Sequence, residues 1–301
     1  MLKVVSVSLG SSSRDKTTRT TFLEQEVELS RVGMDGDLER ARKFIGELDG
    51  QVDAIGLGGI DRYLCAGNRK YEIRDARRLA AAATKTPVVD GSDLKLILEK
   101  RLVSELAVDF TANKLSEARV LQVSAVDRWG MAEALAEHAR EIIFGDLMFG
   151  LGIPITVRGI KAIHNLARVL APIIVRLPFQ ILYPTGSKQK EHKPRFSEYF
   201  VWADWICGDF HYIRRNLPER LDGKVILTNT TTSEDQQLLK ARGVGHLITT
   251  TPVIDGRSFG MNVLEGCLVA MIIQQGDHVS AEMIEIYLNK LNLHPTITQL
   301  N

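Results

Sequence analysis

Asp146 stands twenty positions after Val126 and closes a run, VLQVSAVDRWGMAEALAEHAREIIFGD, that reads as strand, turn, helix, strand and acid. A dinucleotide-binding βαβ unit places at about that spacing the carboxylate that hydrogen-bonds the ribose hydroxyls. The chemistry expected is therefore ribose recognition at Asp146, with cofactor contacts from the turn Asp127-Arg128-Trp129-Gly130, where Trp129 could stack on a flat ring. A carboxylate at that place favours an unphosphorylated ribose on charge grounds. Two alternatives stay open: Asp146 as a helix cap or surface acid, and Trp129 as a packing residue rather than a stacking platform. The turn carries one glycine, not G-x-G-x-x-G.

Ligands of open α/β sheets bind beyond the carboxyl ends of the strands. The residues expected there are hydroxylated, small or charged. Thr185, Gly186, Ser187 and Lys188 suit a phosphate, or form a surface excursion. Gly208 ends a strand, and Thr230, Thr231 and Thr232 precede a helix N-terminus, where free N–H groups favour an anion or a plain cap. In the first part of the chain, Ser11, Ser12, Ser13 and Arg14 suit a substrate oxyanion or carboxylate. Gly58, Gly59, Asp90 and Ser92 follow other strands and are expected to line the same cleft. Lys16, Asp61, Lys85 and His211 are the acid–base candidates, each with a surface charge or cap as its alternative. The seven histidines are isolated and no H-E-x-x-H or paired Cys/His spacing occurs, so no metal is expected.

The elements that must hold these residues follow from pattern. Lys3 to Leu9 and Val52 to Leu57 read as buried strands, and Phe22 to Val32 as a second strand antiparallel to the first. Asp37 caps a helix over LERARKFIGEL, and Ala66-Gly67-Asn68 forms a hairpin turn. Helices are expected from about Asp75 to Thr84 and from Ser92 to about Leu106. The second part offers about six strands alternating with helices. They include Gln180 to Tyr183, Trp205 to Cys207, Lys224 to Thr228 and, as the last strand, His246 to Thr250. Apolar helices follow over Met261 to Ile273 and Ala281 to Leu291. The fold class expected is α/β with two domains, 1–115 on the substrate side and 116–301 a Rossmann-like, doubly wound, mostly parallel sheet with C-terminal helices.

Composition narrows the functional classes. A formal net charge of +1 gives no global field to recruit nucleic acid. Hydrophobic content of 45% and charged content of 25% are those of a soluble globular protein. Cys65, Cys207 and Cys267 are far apart, and MLKVVSVSLG shows no signal-peptide pattern, so a reducing cytoplasmic location is expected. The apolar stretch Met148 to Leu182 is interrupted by Arg158, Lys161, Arg168 and Arg176, so no transmembrane segment is expected. Its apolar positions from Ile160 to Leu177 recur at helical spacing. They read as a buried helix or as a membrane-surface or partner-binding face. That helix and the final one are also the candidates for a homodimer contact.

Taken together, KVVSVSLGSSSRDK, GLGGIDRYL, IRDARRLA, KTPVVDGSDLK, VSAVDRWGMAEAL and ITTTPVIDGRSFGMNVLE resemble a bacterial family commonly labelled quinate 5-dehydrogenase, akin to the shikimate and quinate dehydrogenases. The resemblance covers most of the chain. It implies an NAD- or NADP-dependent oxidoreductase acting on a small carboxylated hydroxy or keto metabolite in an interdomain cleft. Ser6 and Ser8 form an S-x-S, and Asn229-Thr230-Thr231 echoes that family's N-A-T turn, while its G-A-G-G-A turn is absent after Val120 to Ala125. Two further classes fit the same pattern: a non-catalytic nucleotide or metabolite sensor, and a transferase using a nucleotide sugar or S-adenosylmethionine.

Overall fold

The computed structural model describes residues 1–182, 192–251, 253–254, 257–258 and 260–301. The chain opens with β1 (Leu2–Ser8), β2 (Lys16–Phe22) and β3 (Gln25–Gly33), then α1 (Leu38–Leu48) and β4 (Ala54–Gly58). A hairpin of β5 (Tyr63–Ala66) and β6 (Arg69–Glu72) leads to α2 (Arg74–Ala80), β7 (Val88–Val89) and α3 (Ser92–Asp109). The first sheet has the order β2-β3-β1-β4-β7. β1 lies parallel to both neighbours and is buried at every position but Lys3, as an apolar central strand must be.

The single strand expected over Phe22 to Val32 is in fact the end of β2, a turn and β3. Leu23 and Glu24 both adopt left-handed backbone, φ 48° and 65°, and close a two-residue hairpin between antiparallel strands. β2 takes the edge, so β3 returns in the direction of β1 and pairs with it in parallel rather than antiparallel.

β8 (Arg119–Gln122), α4 (Trp129–His138) and β9 (Glu141–Phe144) begin the second sheet. A π-helical turn over Asp146–Gly150 precedes β10 (Val157–Arg158), α5 (Ile160–Ile174) and α6 (Phe179–Leu182). Then come α7 (Ser197–Trp202), β11 (Trp205–Cys207), α8 (Phe210–Asn216), β12 (Val225–Thr228), α9 (Ser233–Ala241) and β13 (His246–Thr249). A two-stranded hairpin of β14 (Val253–Ile254) and β15 (Arg257–Ser258) leads to α10 (Met261–Gln274), α11 (Ala281–Leu291) and β16 (Thr296–Gln299). The sheet order is β10-β9-β8-β11-β12-β13-β16, five parallel strands with an antiparallel strand at each edge. The protein is thus mixed α/β, with two mixed sheets as its two units.

Three placements differ from expectation. Phe179–Leu182 is a helix, not a strand: Pro178 presets its first turn and Phe179 buries against the first sheet. β16, not β13, is the last strand. The third is α10, expected beside the second sheet. It is apolar all round, which demands burial on every side, and it packs on β1, β4 and α3 of the first half. Gly266 permits that approach, since a Cβ there would lie 2.8 Å from Val4 Cγ1.

α5 and α6 form a strap between the two units. The strap starts beside β10, and Ile163 and Ala167 pack into the second unit's core. It ends on the first unit, where Val175 and Phe179 join Val7, Ile55 and Leu79. Backbone fixes that end: the Arg74 N–H donates to the Val175 carbonyl at 2.9 Å, and the Phe179 N–H to Asp75 Oδ2 at 2.9 Å.

Candidate functional site

A cavity of about 160 Å³ lies beyond the carboxyl ends of β4, β8, β9 and β11. The strap roofs it with Ile163, Leu166, Ala167, Leu170, Ala171 and Ile174. Leu64 and Ile73 close it from the first unit. The floor is polar: Asp61 follows β4, Ser124 and Asp127 follow β8, Asp146 follows β9, and Tyr212 sits on α8. Leu151 and Ile181 line the cavity and are also exposed, so they mark its mouth.

Local sequence explains how the floor is held. Asp146 Oδ1 accepts the N–H groups of Ala125 and Val126 at 2.9 and 3.1 Å, which fixes the turn after β8. Gln122 Nε2 donates to the carbonyls of Ser124 and Arg128 and closes the same turn from inside. Asp146 Oδ2 and Asp127 Oδ1 have no hydrogen-bond partner. Burial pushes the Asp127 carboxyl up to about 7 and the Asp146 carboxyl up to about 6. Near neutral pH Asp127 is thus about half ionised and Asp146 mostly ionised, and each keeps one oxygen without a hydrogen-bond partner.

Behind the floor runs a buried charge network. Lys95 Nζ donates to Asp61 Oδ1 at 2.6 Å. Burial alone would lower the Lys95 pKa, but the Asp61 charge raises it above the usual lysine value, so the ammonium stays protonated. Arg128 pairs with Glu99 through Nη1 and with Asp209 through Nη2 at 3.3 Å. Asn229 Nδ2 donates to Asp209 Oδ2 at 2.9 Å, and Thr250 Oγ1 to Glu99 Oε1 at 3.4 Å. Burial acts to raise the Asp209 pKa; the Arg128 and His211 charges outweigh it and hold the carboxyl below the ordinary range. α3 thus contributes Lys95 and Glu99 to a cluster completed by Asp61 from the first unit and by turns of the second sheet.

A family model described as Domain of unknown function (DUF8754) matches residues 93–300. The chain belongs to that family. A second model, Domain of unknown function (DUF8753), matches residues 3–90. No curated protein matches the chain. Solved structures similar to this DUF8754 member include a glucose-galactose binding protein from Geobacillus stearothermophilus, with TM-score 0.43, 9% identity and coverage of 99% of this chain and 97% of that one. Another is an ABC transporter periplasmic solute binding protein from Actinobacillus succinogenes 130z with bound D-allose, with TM-score 0.40, 8% identity and coverage of 100% and 98%. A third is a Mycobacterium smegmatis protein in complex with β-D-fucofuranose, with TM-score 0.40, 12% identity and coverage of 97% and 95%. The expected kinship with the quinate 5-dehydrogenase family is corrected by these findings. The family models that match are the two domains above, which between them span residues 3–90 and 93–300.

The residues singled out in sequence scatter. Of the acid–base candidates, Asp61 lines the cavity; Lys16 lies exposed on edge strand β2, Lys85 is exposed before β7, and His211 is exposed at the start of α8. Ser11, Ser12, Ser13 and Arg14 form an exposed 3-10 turn held by Ser12 N–H to Asp35 Oδ1 at 2.8 Å, and none lines the cavity. Gly58 and Gly59 pack against Ser8, Leu9 and Gly10 at the end of β4. Asp90 accepts the Arg62 N–H at 2.5 Å and the Ser92 hydroxyl, so both are committed to the bend before α3.

Among the cofactor candidates, Asp127 and Asp146 reach the cavity, and Arg128 lies behind it. Trp129 is buried, with Nε1 donating to Glu133 Oε1 at 2.8 Å. Gly130 faces α3 so closely that a Cβ would lie 2.1 Å from the Leu96 carbonyl oxygen. The N-terminus of α4, whose residues were expected to touch a cofactor, thus lies against α3. Gly208 follows β11 against Val123; Thr230 Oγ1 donates to Thr251 Oγ1; Thr231 is half-buried in the turn after β12; and Thr232 caps α9 in a capping box with Asp235. Thr185, Gly186, Ser187 and Lys188 lie outside the described residues.

Ser124, Tyr212, Lys95, Glu99 and the strap were not singled out as site residues. One signal for two of them was present: Ser92, Lys95 and Glu99 recur at helical spacing inside the apolar series Leu94, Leu98 and Leu102.

Proposed function

We propose that this protein binds a small amphipathic metabolite in the cavity under the strap. A hydrogen-bond-donating group, hydroxyl or protonated amine, sits at the Asp127–Asp146 end, and an apolar body lies against Leu166, Leu170 and Ile174. One observation carries the reading: Asp127 and Asp146 line the polar floor of a cavity with an aliphatic roof, and each has a buried carboxyl oxygen with no hydrogen-bond partner. Such groups favour a ligand that donates, because a buried acceptor without a partner costs about 1–3 kcal/mol. A carboxylated ligand would meet like charge there. Binding without a chemical step suits the floor, whose one fully paired acid–base couple, Lys95 and Asp61, is tied up with itself.

A thermal-shift screen tests this. The probes are aliphatic amines, polyols and sugars, matched carboxylic acids, and NAD and NADP. The dinucleotides belong in the screen because Asp146 lines the cavity and has one oxygen without a partner. A ligand at a hundredfold its Kd stabilises by about 2.7 kcal/mol. Shifts with amines or polyols, weakened about tenfold or more in affinity by Asp127→Asn or Asp146→Asn, support the reading. A shift confined to carboxylic acids or to a dinucleotide overturns it.

A further inference from the structure

The outer face of the strap carries apolar side chains that nothing among the described residues covers. Val169 is 67% exposed, Ile173 61% and Ile181 66%, and Ile155 on the preceding loop is 54% exposed. Large aliphatics displayed together on one helix face are unusual for a monomer surface and mark an interaction site. Cations share the face: Lys161, Arg168 and Arg176 lie one to two turns apart and are exposed. From Leu147 to Lys190 the sequence contains no aspartate or glutamate. Arg158, the other cation before α5, is paired with Glu141 and stands apart from this set.

We infer that the strap docks on an anionic lipid surface, with Val169, Ile173 and Ile155 entering the acyl boundary and Lys161, Arg168 and Arg176 meeting the headgroups. An exposed helix with aliphatics flanked by Lys and Arg is the arrangement that lies in a bilayer interface. No helix among the described residues is long and apolar enough to cross a membrane, so the contact is peripheral. Charge separates this occupant from a second copy of the chain. Two-fold self-association through the strap would set the all-cationic face against itself, whereas anionic headgroups complement it. The inference is independent of what the cavity binds.

The test is co-sedimentation of the full-length chain with vesicles of phosphatidylcholine alone or mixed with phosphatidylglycerol. Binding to the mixed vesicles only, falling as salt rises, is expected. Lys161→Glu with Arg168→Glu should reduce partitioning at least about tenfold, and Val169→Glu with Ile173→Glu by a similar factor. Because substitutions on α5 can disturb folding, a second readout places a reporter instead. The native thiols are all buried, so Val169→Cys can be labelled selectively with an environment-sensitive fluorophore. Its emission should rise and shift to the blue on adding anionic vesicles. Absence of both signals overturns the inference, as does binding indifferent to the charge reversals. So does a concentration-dependent dimer in light scattering that Ile173→Glu dissociates.

Discussion

Arg128 and Glu99 form a buried ion pair that joins the turn after β8 to the middle of α3; Glu99 is 0% exposed and Arg128 4%. α3 also lies in the core of the first sheet through Leu94, Leu98 and Leu102. The pair therefore couples the two units across their shared helix. Removing Glu99 leaves Arg128 in the interior with Asp209 as its remaining paired carboxylate. Glu99→Leu should cost about 3–5 kcal/mol in urea denaturation. Glu99→Leu combined with Arg128→Met and Asp209→Asn should recover much of that loss, and a triple variant as unstable as the single one would refute the account.

Gly130 makes a second, steric prediction at the same junction. A methyl group there collides with the Leu96 carbonyl, so α3 and α4 must separate. Gly130→Ala should destabilise by about 1–3 kcal/mol, although alanine is the better helix former. An unchanged denaturation midpoint would show that the two helices give way easily.

Buried carboxyl groups set the pH dependence of the protein between about pH 4 and 8, Glu99 among them, whose pKa burial raises. Burial raises Asp127 to about 7, Asp146 to about 6 and Glu265 to about 8. Arg128 and Lys95 pull Asp127 downward, and Asp209 and Asp61 push it upward. In the unfolded chain all four titrate near 4, so between about pH 4 and 8 the native state binds more protons. Stability from these groups therefore falls as pH rises through that window. Melting temperature should decline from pH 5 to 8, and Asp127→Asn should flatten the decline. A melting curve that rises across this range would contradict the assignment.

Cavity volume and stability should part company at Ala171. Its methyl lines the cavity beneath the strap. Ala171→Leu fills space that the native chain leaves open, so the melting temperature should hold or rise by a few degrees. Every ligand-induced shift seen with the parent protein should disappear. Retention of binding in that variant would place the ligand elsewhere.

The hairpin at Leu23-Glu24 holds two side-chain-bearing residues in left-handed backbone. Asn-Gly is the pair that such a turn prefers. Leu23→Asn with Glu24→Gly should raise stability by about 1 kcal/mol, measured by chemical denaturation.

Periodicity in the sequence made α5, α10 and α11 legible, and apolar runs did the same for β1, β8 and β12. What it could not convey was partnership. Phe179–Leu182 has the composition of a strand and becomes a helix because its one buried residue meets the first sheet after Pro178. Thr296–Gln299 carries a single large apolar residue, Ile297, and reads as a strand only once β13 is beside it. Asp127 and Asp146 were visible because turns after strands concentrate function. Lys95 and Glu99 were hidden inside a helix, where a buried charge makes sense only against Asp61 and Arg128. The strap's role was illegible for a related reason. Its two apolar faces look alike in sequence, and only the position of the two sheets tells which one roofs the cavity.

Fastening the strap at both ends has a kinetic consequence. A clamshell that hinges between two lobes releases its ligand whenever the lobes part. Here the Val175 and Phe179 backbone is tied to Arg74 and Asp75, while Ile163 and Ala167 are packed into the other lobe. Parting the lobes would tear one anchorage or the other. The cheaper route is local unfolding of the strap itself, whose Pro172 already lacks an amide donor in the last turn of α5. A ligand held as proposed would leave at the opening rate of a single helix, and amide hydrogen exchange along α5 should report the same rate.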